Sequence, residues 1–493
     1  MIDSICFFIA SMCGIFSGHR LFLLGIYLCE KYRKKSSLKA GATAPEVYPR
    51  ITVQLPIYNE RYVVRRLIDA VCRIRYPLEL LDVQVLDDSD DETRSLIDRL
   101  VSDFQKAGYP IRVLRRSSRL GFKAGALQHG LRSAAGDWIL IFDSDFIPQP
   151  DLLEKALPLL NDPKCGMIQF CWDHVNRDFS LLTRIQALSL DGHFHIEHFA
   201  RNHSRRFFNF NGTAGIWRKS CIIESEGWKC DTLTEDLDLS YRAQMKGWRF
   251  CYAPDIKVPA ELPIELAAFK SQQYRWAKGG MQTARKILPV LFRSDEPWYI
   301  KIEGAFHLLA NTMYAVLFLM ILSMPFLLTR TSPLSLYVYQ TALLFSLISV
   351  IAYYLAAGLE SSGRRPLRIL LDIPLLMSVG IGLCINNSLA VFDGFFSNEA
   401  VFVRTPKYNV TDQKDPWRSN VYRIRRYPLF CAELFFLFYL CMTAVYFVKI
   451  SALYALPYLA LFIIGFIYFM VLSILEALPG KPLPGRLPSG KVV

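Results

Sequence analysis

Two carboxylates one residue apart, Asp143 and Asp145, end the run "DWILIFDSD" in this 493-residue chain. After so apolar a stretch they are expected at the exit of a buried strand, with alternate side chains on one side of an extended backbone. Such a pair can hold a hard divalent cation that bridges phosphate oxygens, or simply cap the helix that follows. A second acid cluster, Asp87-Asp88, ends "LDVQVLDDS". In "TLTEDLDLSYR" Thr234 reads as a helix N-cap and Glu235 as a first-turn acid. Asp236 is either a further first-turn acid or a general base facing a crevice. "SQQYRWAKGG" sets Arg275, a forked donor suited to a pyrophosphate, beside Trp276, whose flat indole can stack on a sugar ring. The same pair would also serve as an interfacial anchor.

The elements that must carry these residues alternate. From Ile51, β-rich runs ("ITVQLPIYN", "LDVQVLDDS", "IRVLRR", "DWILIFDSD") are separated by stretches of helical period. That order implies a mostly parallel sheet with helices on both faces, and ligands beyond the carboxyl ends of its strands. A closing strand, "FCYAPDI", is followed by a long amphipathic stretch expected along a membrane surface.

Composition supplies the membrane. Hydrophobic residues make up 52% and aromatics 13%, concentrated in 304–476 rather than in 50–300. The net charge of +13 lies in clusters beside apolar segments ("KYRKK", "SSGRRPLR", "YRIRR"), which argues for cytosolic flanks of membrane helices and against nucleic acid. The twelve cysteines show no C-x-x-C pair and no zinc spacing. The stretch 5–29 is too long for a signal-peptide core and runs into Lys31, Arg33, Lys34 and Lys35, so it is expected to span with its amino end outside. His193, His195 and His198 look like metal ligands, but helical residues two apart point away from each other. "DDSDDET" lacks the glycine and closing glutamate of a calcium loop. The acceptor triplets at Asn202 and Asn211 would not meet the glycosylation machinery in a cytosolic domain.

Taken in order, "PIYNE", "LDDSDD", "GFKAGAL", "FDSD", "FNGTAGIWR", "LTEDLDLSYR" and "QQYRW" resemble the inverting glycosyltransferases of family 2. Within them they are most similar to the cellulose-synthase superfamily, on the cellulose-synthase-like A and C side, whose members make mannan, glucomannan or glucan backbones. The resemblance implies a GT-A α/β catalytic domain with an α-helical transmembrane region. It implies that Tyr58, Glu60 and Asp88 line the nucleotide, that Lys123 meets a phosphate, and that Asp143 and Asp145 hold Mg²⁺ or Mn²⁺ on the diphosphate. Asp236 would be the base, Gln272 and Arg275 would act on the leaving diphosphate, and Trp276 would carry the acceptor sugar. Asn211, Gly212, Thr213 and Glu235 are expected on the acceptor side. Phe402-Val403-Arg404-Thr405-Pro406-Lys407 resembles the family's cytosolic F-x-V-T-x-K gating loop, with Arg404 in place of Val, so Thr405 and Lys407 would close over the nucleotide. A basic loop touching anionic lipid is the simpler alternative.

The expected organisation is a transmembrane helix (1–30), a linker (31–49), the catalytic domain (50–262), interfacial helices with Q-x-x-R-W (263–303) and a transmembrane hairpin (304–357). A segment with the gating loop (358–428), a second hairpin (429–476) and a cytosolic tail (477–493) complete it. If 369–393 crossed the membrane, Arg404, Lys407, Lys414, Arg418, Arg423, Arg425 and Arg426 would all lie outside, against the positive-inside rule. That stretch is therefore expected to lie in the interface or to re-enter, which leaves five spans. The expected function is processive, inverting synthesis of a β-linked (β-1,4) glucan, mannan or glucomannan from UDP-glucose or GDP-mannose, with translocation of the product. The setting is a multi-pass protein of the plasma, inner or Golgi membrane, with lipid and accessory secretion subunits as partners. Transfer of one sugar to a lipid is the alternative. A transporter or a non-catalytic assembly subunit would not need the complete acid set.

Overall fold

The computed structural model describes residues 2–36, 48–363, 365–397, 399, 402–411, 421–422 and 429–478. Lys414, Arg418, Arg423, Arg425 and Arg426 lie outside the described residues, as do Arg364 and most of the linker and tail.

Among the described residues, seven strands form one sheet: β1 (Ile51–Ile57), β2 (Leu81–Asp87), β3 (Ile111–Leu114), β4 (Trp138–Ile141), β5 (Cys165–His174), β6 (Gly215–Arg218) and β7 (Arg249–Ala260). Their order is β3-β2-β1-β4-β6-β5-β7. The pairs β1–β2, β2–β3, β1–β4 and β5–β7 are parallel, and only β6 runs against its neighbours β4 and β5. β1 is buried on both faces, as parallel strands between helices are. Ile51, Val53, Leu55 and Ile57 enter one hydrophobic cluster. On the other face Thr52 donates to Asp82 and Gln54 to Gln84, so polar side chains on that buried face bond to one another.

Among the covering helices, α1 (Phe122–Ser133), α2 (Leu181–Asp191) and α3 (Glu235–Met245) matter to the site. Between α2 and the next helix runs a π-helical turn, Gly192–His198. Beyond the sheet come α4 (Leu266–Arg293), α5 (Trp298–Leu309), α6 (Thr312–Arg330), α7 (Pro333–Ser362), α8 (Pro366–Gly382), α9 (Cys384–Phe396), α10 (Phe430–Lys449) and α11 (Leu456–Ala477).

Among the described residues, four helices are long and apolar enough to cross a membrane: the amino-terminal helix Ile2–Arg33, α7, α10 and the carboxyl-terminal helix Leu453–Ala477. Two further pairs qualify only together: α5 with α6, bent by 57°, and α8 with α9, bent by 50°. The expected span beginning at 304 thus starts partway along the first helix of a bent pair, which itself begins at Trp298. Lys301 and Glu303 hid that start from a hydropathy reading. At the bend the Thr312 hydroxyl donates to the Leu309 carbonyl at 2.6 Å, a local bond that competes with the helical ladder. α4 is not an exposed surface helix. Gly279, Gly280, Met281 and Thr283 are buried in it, and it packs against α9.

The two halves are pinned together by polar contacts. Tyr353 of α7 donates to the Gly192 carbonyl at 2.6 Å, and Arg184 pairs with Asp372 of α8 at 3.0 Å. Asp393 of α9 takes Lys278 and Tyr274 of α4, each at 2.7 Å. Both ends of the α8–α9 pair therefore touch the catalytic half.

Candidate active site

The carboxyl ends of β1, β2 and β4 open into one cleft, where parallel sheets place ligands. It is lined by Tyr58 and Glu60 after β1, Asp88 after β2, Lys123 at the start of α1, and Asp143 and Asp145 after β4. Asn211 and Gly212, Glu235 and Asp236 at the start of α3, Gln272, Arg275 and Trp276 on α4, and Thr405 and Lys407 complete it. Backbone in the left-handed region occurs at this rim, at Asn59 (φ 57°) and Phe122 (φ 47°). Such conformations persist where the surroundings enforce them.

The strand β4 ends at Ile141, so Asp143 and Asp145 do not continue an extended chain as expected; they sit in a turn. Each meets its own lysine: Asp143 meets Lys123 at 2.5 Å, and Asp145 meets Lys407 at 2.8 Å. Asp145 also accepts from the Glu261 amide. Lys123 donates to the Gly212 carbonyl at 2.8 Å. Burial opposes the charge on Lys123, but Asp143 and Glu235 outweigh it and hold the ammonium above its usual range.

Asp236 lies at the bottom of the cleft, accepting from the Leu237 amide at 2.9 Å. Burial, then Glu235 beside it, pushes its carboxyl up to about 7, against the pull of Lys123. Burial raises Glu235 as well. Gly212, at φ 79°, faces this carboxylate, and a Cβ there would stand 3.0 Å from Asp236 Oδ2. Only glycine suits both the dihedral and the space.

The loop 402–411 covers the cleft mouth. Arg275 donates to the Val403 carbonyl at 2.8 Å and lies over the Phe402 ring, and its guanidinium reaches the Thr405 hydroxyl at 3.5 Å. Arg404 pairs with Glu60 at 2.9 Å and stacks on Tyr422. Burial pushes Glu60 up to about 8 in spite of Arg404 and Lys407. Glu261 clamps the loop, accepting from the amides of Tyr408 (2.8 Å) and Asn409 (2.9 Å).

Two expectations change, and the histidines find other partners. Thr213 is buried beneath the cleft, where its hydroxyl accepts from the Asp143 amide at 2.8 Å, so it positions the acid rather than facing a substrate. Thr234 precedes α3, but its hydroxyl pairs with Thr283 on α4 and does not cap. The histidines occupy a π-helical turn, where His193 and His198 flank Asn211, whose amide donates to His193 at 2.8 Å and whose oxygen accepts from His198 at 2.5 Å. His195 is not part of that set.

Sequence reasoning missed several cleft residues. Arg116 holds Asp88 with a 2.5 Å contact, and Arg119 lies 3.3 Å from the Tyr58 ring centroid; the basic run "RRSSR" was their only signal. Trp172, His174 and Glu261 had none, because β5 and β7 bring them in from distant sequence.

A second cavity, of about 620 Å³, begins at the cleft floor. Trp172, Asn211, Asp236, Gln272 and Trp276 line both spaces. It continues past His193, Glu197 and His307 to apolar side chains of α6, α7, α8 and α11, among them Met320, Leu347, Val379 and Phe462.

This sheet and its acid-lined cleft are those of a GT-A glycosyltransferase domain, and residues 49–279 match the family described as glycosyltransferase like family 2. That stretch is therefore similar to family 2 glycosyltransferase domains. Over 286 residues it is 39% identical to glucomannan 4-beta-mannosyltransferase 7 of Arabidopsis thaliana, covering 55% of this chain and 51% of that protein. It is 43% identical over 254 residues to probable glucomannan 4-beta-mannosyltransferase 7 of Oryza sativa subsp. japonica, covering 50% and 43% respectively. These relatives belong to the mannan and glucomannan branch that the motifs resemble, and the chain spans about half their length. Among solved structures, a mannosyltransferase from Pyrobaculum calidifontis in complex with GDP-Man and Mn²⁺ is 20% identical, with a TM-score of 0.48 over 80% of this chain and 99% of that one.

Proposed function

We propose that the chain is a hexosyltransferase that extends a β-linked mannan, glucomannan or glucan from a nucleoside diphosphate sugar and passes the product into its membrane half. The observation that carries this reading is the shared wall: Asp236, Gln272 and Trp276 face the cleft and the membrane cavity alike. A donor in the cleft and an acceptor end in the cavity would meet at Asp236.

The cleft suits a divalent cation in its donor chemistry, with two carboxylates at one end of β4. Among the described residues no third Asp, Glu, His or Cys joins them in a metal-holding group. Asp143 and Asp145 would therefore hold Mg²⁺ or Mn²⁺, leaving the other positions to the donor's phosphates. The ion would supply charge neutralisation at the leaving diphosphate. Lys123, at the amino end of α1, and Arg275 add positive charge there. Asp236 takes the proton from the acceptor hydroxyl as its oxygen attacks the anomeric carbon and the diphosphate departs. That single displacement turns an α-linked donor into a β-linked product. Trp276 offers the face on which the terminal acceptor sugar stacks.

The loop 402–411 touches the catalytic cleft, and both ends of the α8–α9 pair touch the catalytic half, which supports a pair that enters the membrane and returns on the cytosolic side. With α5–α6 as one bent span, five spans result. Val403 is exposed; Val403→Cys in a cysteine-free background should resist an impermeant maleimide in intact cells, and ready labelling would overturn this topology.

The apolar depth of the cavity would also suit the tail of a lipid acceptor, and the product separates the two readings. Membrane vesicles supplied with Mg²⁺ or Mn²⁺ and labelled GDP-mannose, UDP-glucose or UDP-N-acetylglucosamine should yield long polymer cut by a β-1,4-specific glycanase. Label recovered only in a lipid extract would contradict the polymer reading.

A further inference from the structure

One imidazole in the cleft has no part in the chemistry above. His174 ends β5, two residues beyond Trp172, so the two side chains share one face of the strand. Both line the donor cleft, but only Trp172 also lines the membrane cavity. His174 is 9% exposed, and among the described residues neither ring nitrogen has a hydrogen-bond partner. The nearest charged groups do not take it up: Arg177 and Asp191 are spent on each other at 2.7 and 2.8 Å, and Asp173 accepts from the His174 backbone. Burial pushes the imidazole down to about 4, so the ring is neutral. It then offers one donor and one acceptor, the complement of a sugar hydroxyl, which also gives one and takes one. Leaving both unmet in a buried wall is costly unless something arrives to meet them.

Its place in the sheet says which part of a ligand arrives. Tyr58 and Asp88 follow β1 and β2, and Asp143 and Asp145 follow β4. β5 lies three strand spacings from β1, across β4 and β6, or about 14 Å at ~4.8 Å per strand. A ligand with its base at β1–β2 and its diphosphate at β4 has its hexose toward β5. His174 pairs with Ala260 across β5–β7, and the next residue, Glu261, clamps the loop and donates its amide to Asp145. The ring thus lies on the cleft wall beside the residue that clamps the loop.

We propose that His174 hydrogen-bonds a hydroxyl of the donor hexose and thereby helps select which hexose the enzyme accepts. This rests on the reading of the cleft as a nucleotide-sugar site. The test is calorimetric titration of the full detergent-solubilised chain with GDP-mannose, UDP-glucose, GDP and UDP. His174→Phe keeps a ring without polar atoms, and His174→Gln keeps a donor and an acceptor. The Phe variant should bind the preferred nucleotide sugar ~10-fold more weakly, the worth of one such bond, and bind the bare nucleoside diphosphate as before. The Gln variant should recover part of the loss. Unchanged nucleotide-sugar binding by His174→Phe would overturn the inference, as would an equal loss for the bare diphosphate, which marks a structural role. A wild-type chain that binds no nucleotide at all would instead overturn the reading of the cleft.

Discussion

Asp236 concentrates the residue-scale account in one ionisation. Its carboxyl is raised to about 7 by burial and by Glu235, well above the ~4 of an ordinary aspartate. A base works only when deprotonated, so kcat/KM should rise with pH along an acid limb centred near 7 and level off above it. A limb centred near 4 would contradict a raised Asp236 carboxyl as the base. Asp236→Asn should abolish transfer, by about 10²-fold or more, while calorimetry still shows nucleotide binding. Gly212→Ala puts a methyl 3.0 Å from Asp236 Oδ2 at a φ of 79°, and should lower kcat with little change in nucleotide affinity. Full activity in Gly212→Ala would show that the base does not depend on this close approach.

At the scale of elements, the acids were legible because each follows a strand or opens a helix, where apolar runs stop abruptly. The sheet order was legible only as "mostly parallel"; the reversed strand β6 has no local mark in "GIWR". Trp172, His174 and Glu261 belong to β5 or follow β7, and only the 165–174 pairing with 249–260 brings them to the cleft. The break in α5–α6 escaped notice because its first helix carries charges that pack inward, Glu303 meeting Arg201 at 3.1 Å. α9 rests on α4 through Gly394, where a Cβ would stand 2.4 Å from the Lys278 carbonyl. Gly394→Val should destabilise that contact by ~1–3 kcal/mol, seen as a lower unfolding temperature in detergent; an unchanged temperature would mean the helices have room. The loop makes a separate prediction. Lys407 satisfies Asp145, so Lys407→Ala should bind Mn²⁺ more tightly than wild type in the absence of nucleotide, read by electron paramagnetic resonance, yet transfer sugar more slowly. Equal Mn²⁺ affinity would show that the lysine does not compete for that carboxylate.

For the whole molecule, the central claim is that the donor cleft and the membrane cavity form one path meeting at Asp236. The sequence pointed to a catalytic half and a membrane half; their join, through Tyr353, Asp372 and Asp393, depends on pairs separated by more than a hundred residues. Gly380 lines the membrane cavity, and a side chain added there would enter open space. It touches nothing in the donor cleft, so an indole at that point obstructs the path and leaves the chemistry alone. The most direct measurement is the length of labelled product made by Gly380→Trp in vesicles beside wild type. The account predicts nucleotide binding and first transfers like wild type, with product cut short to a few sugars; full-length polymer from Gly380→Trp would contradict it.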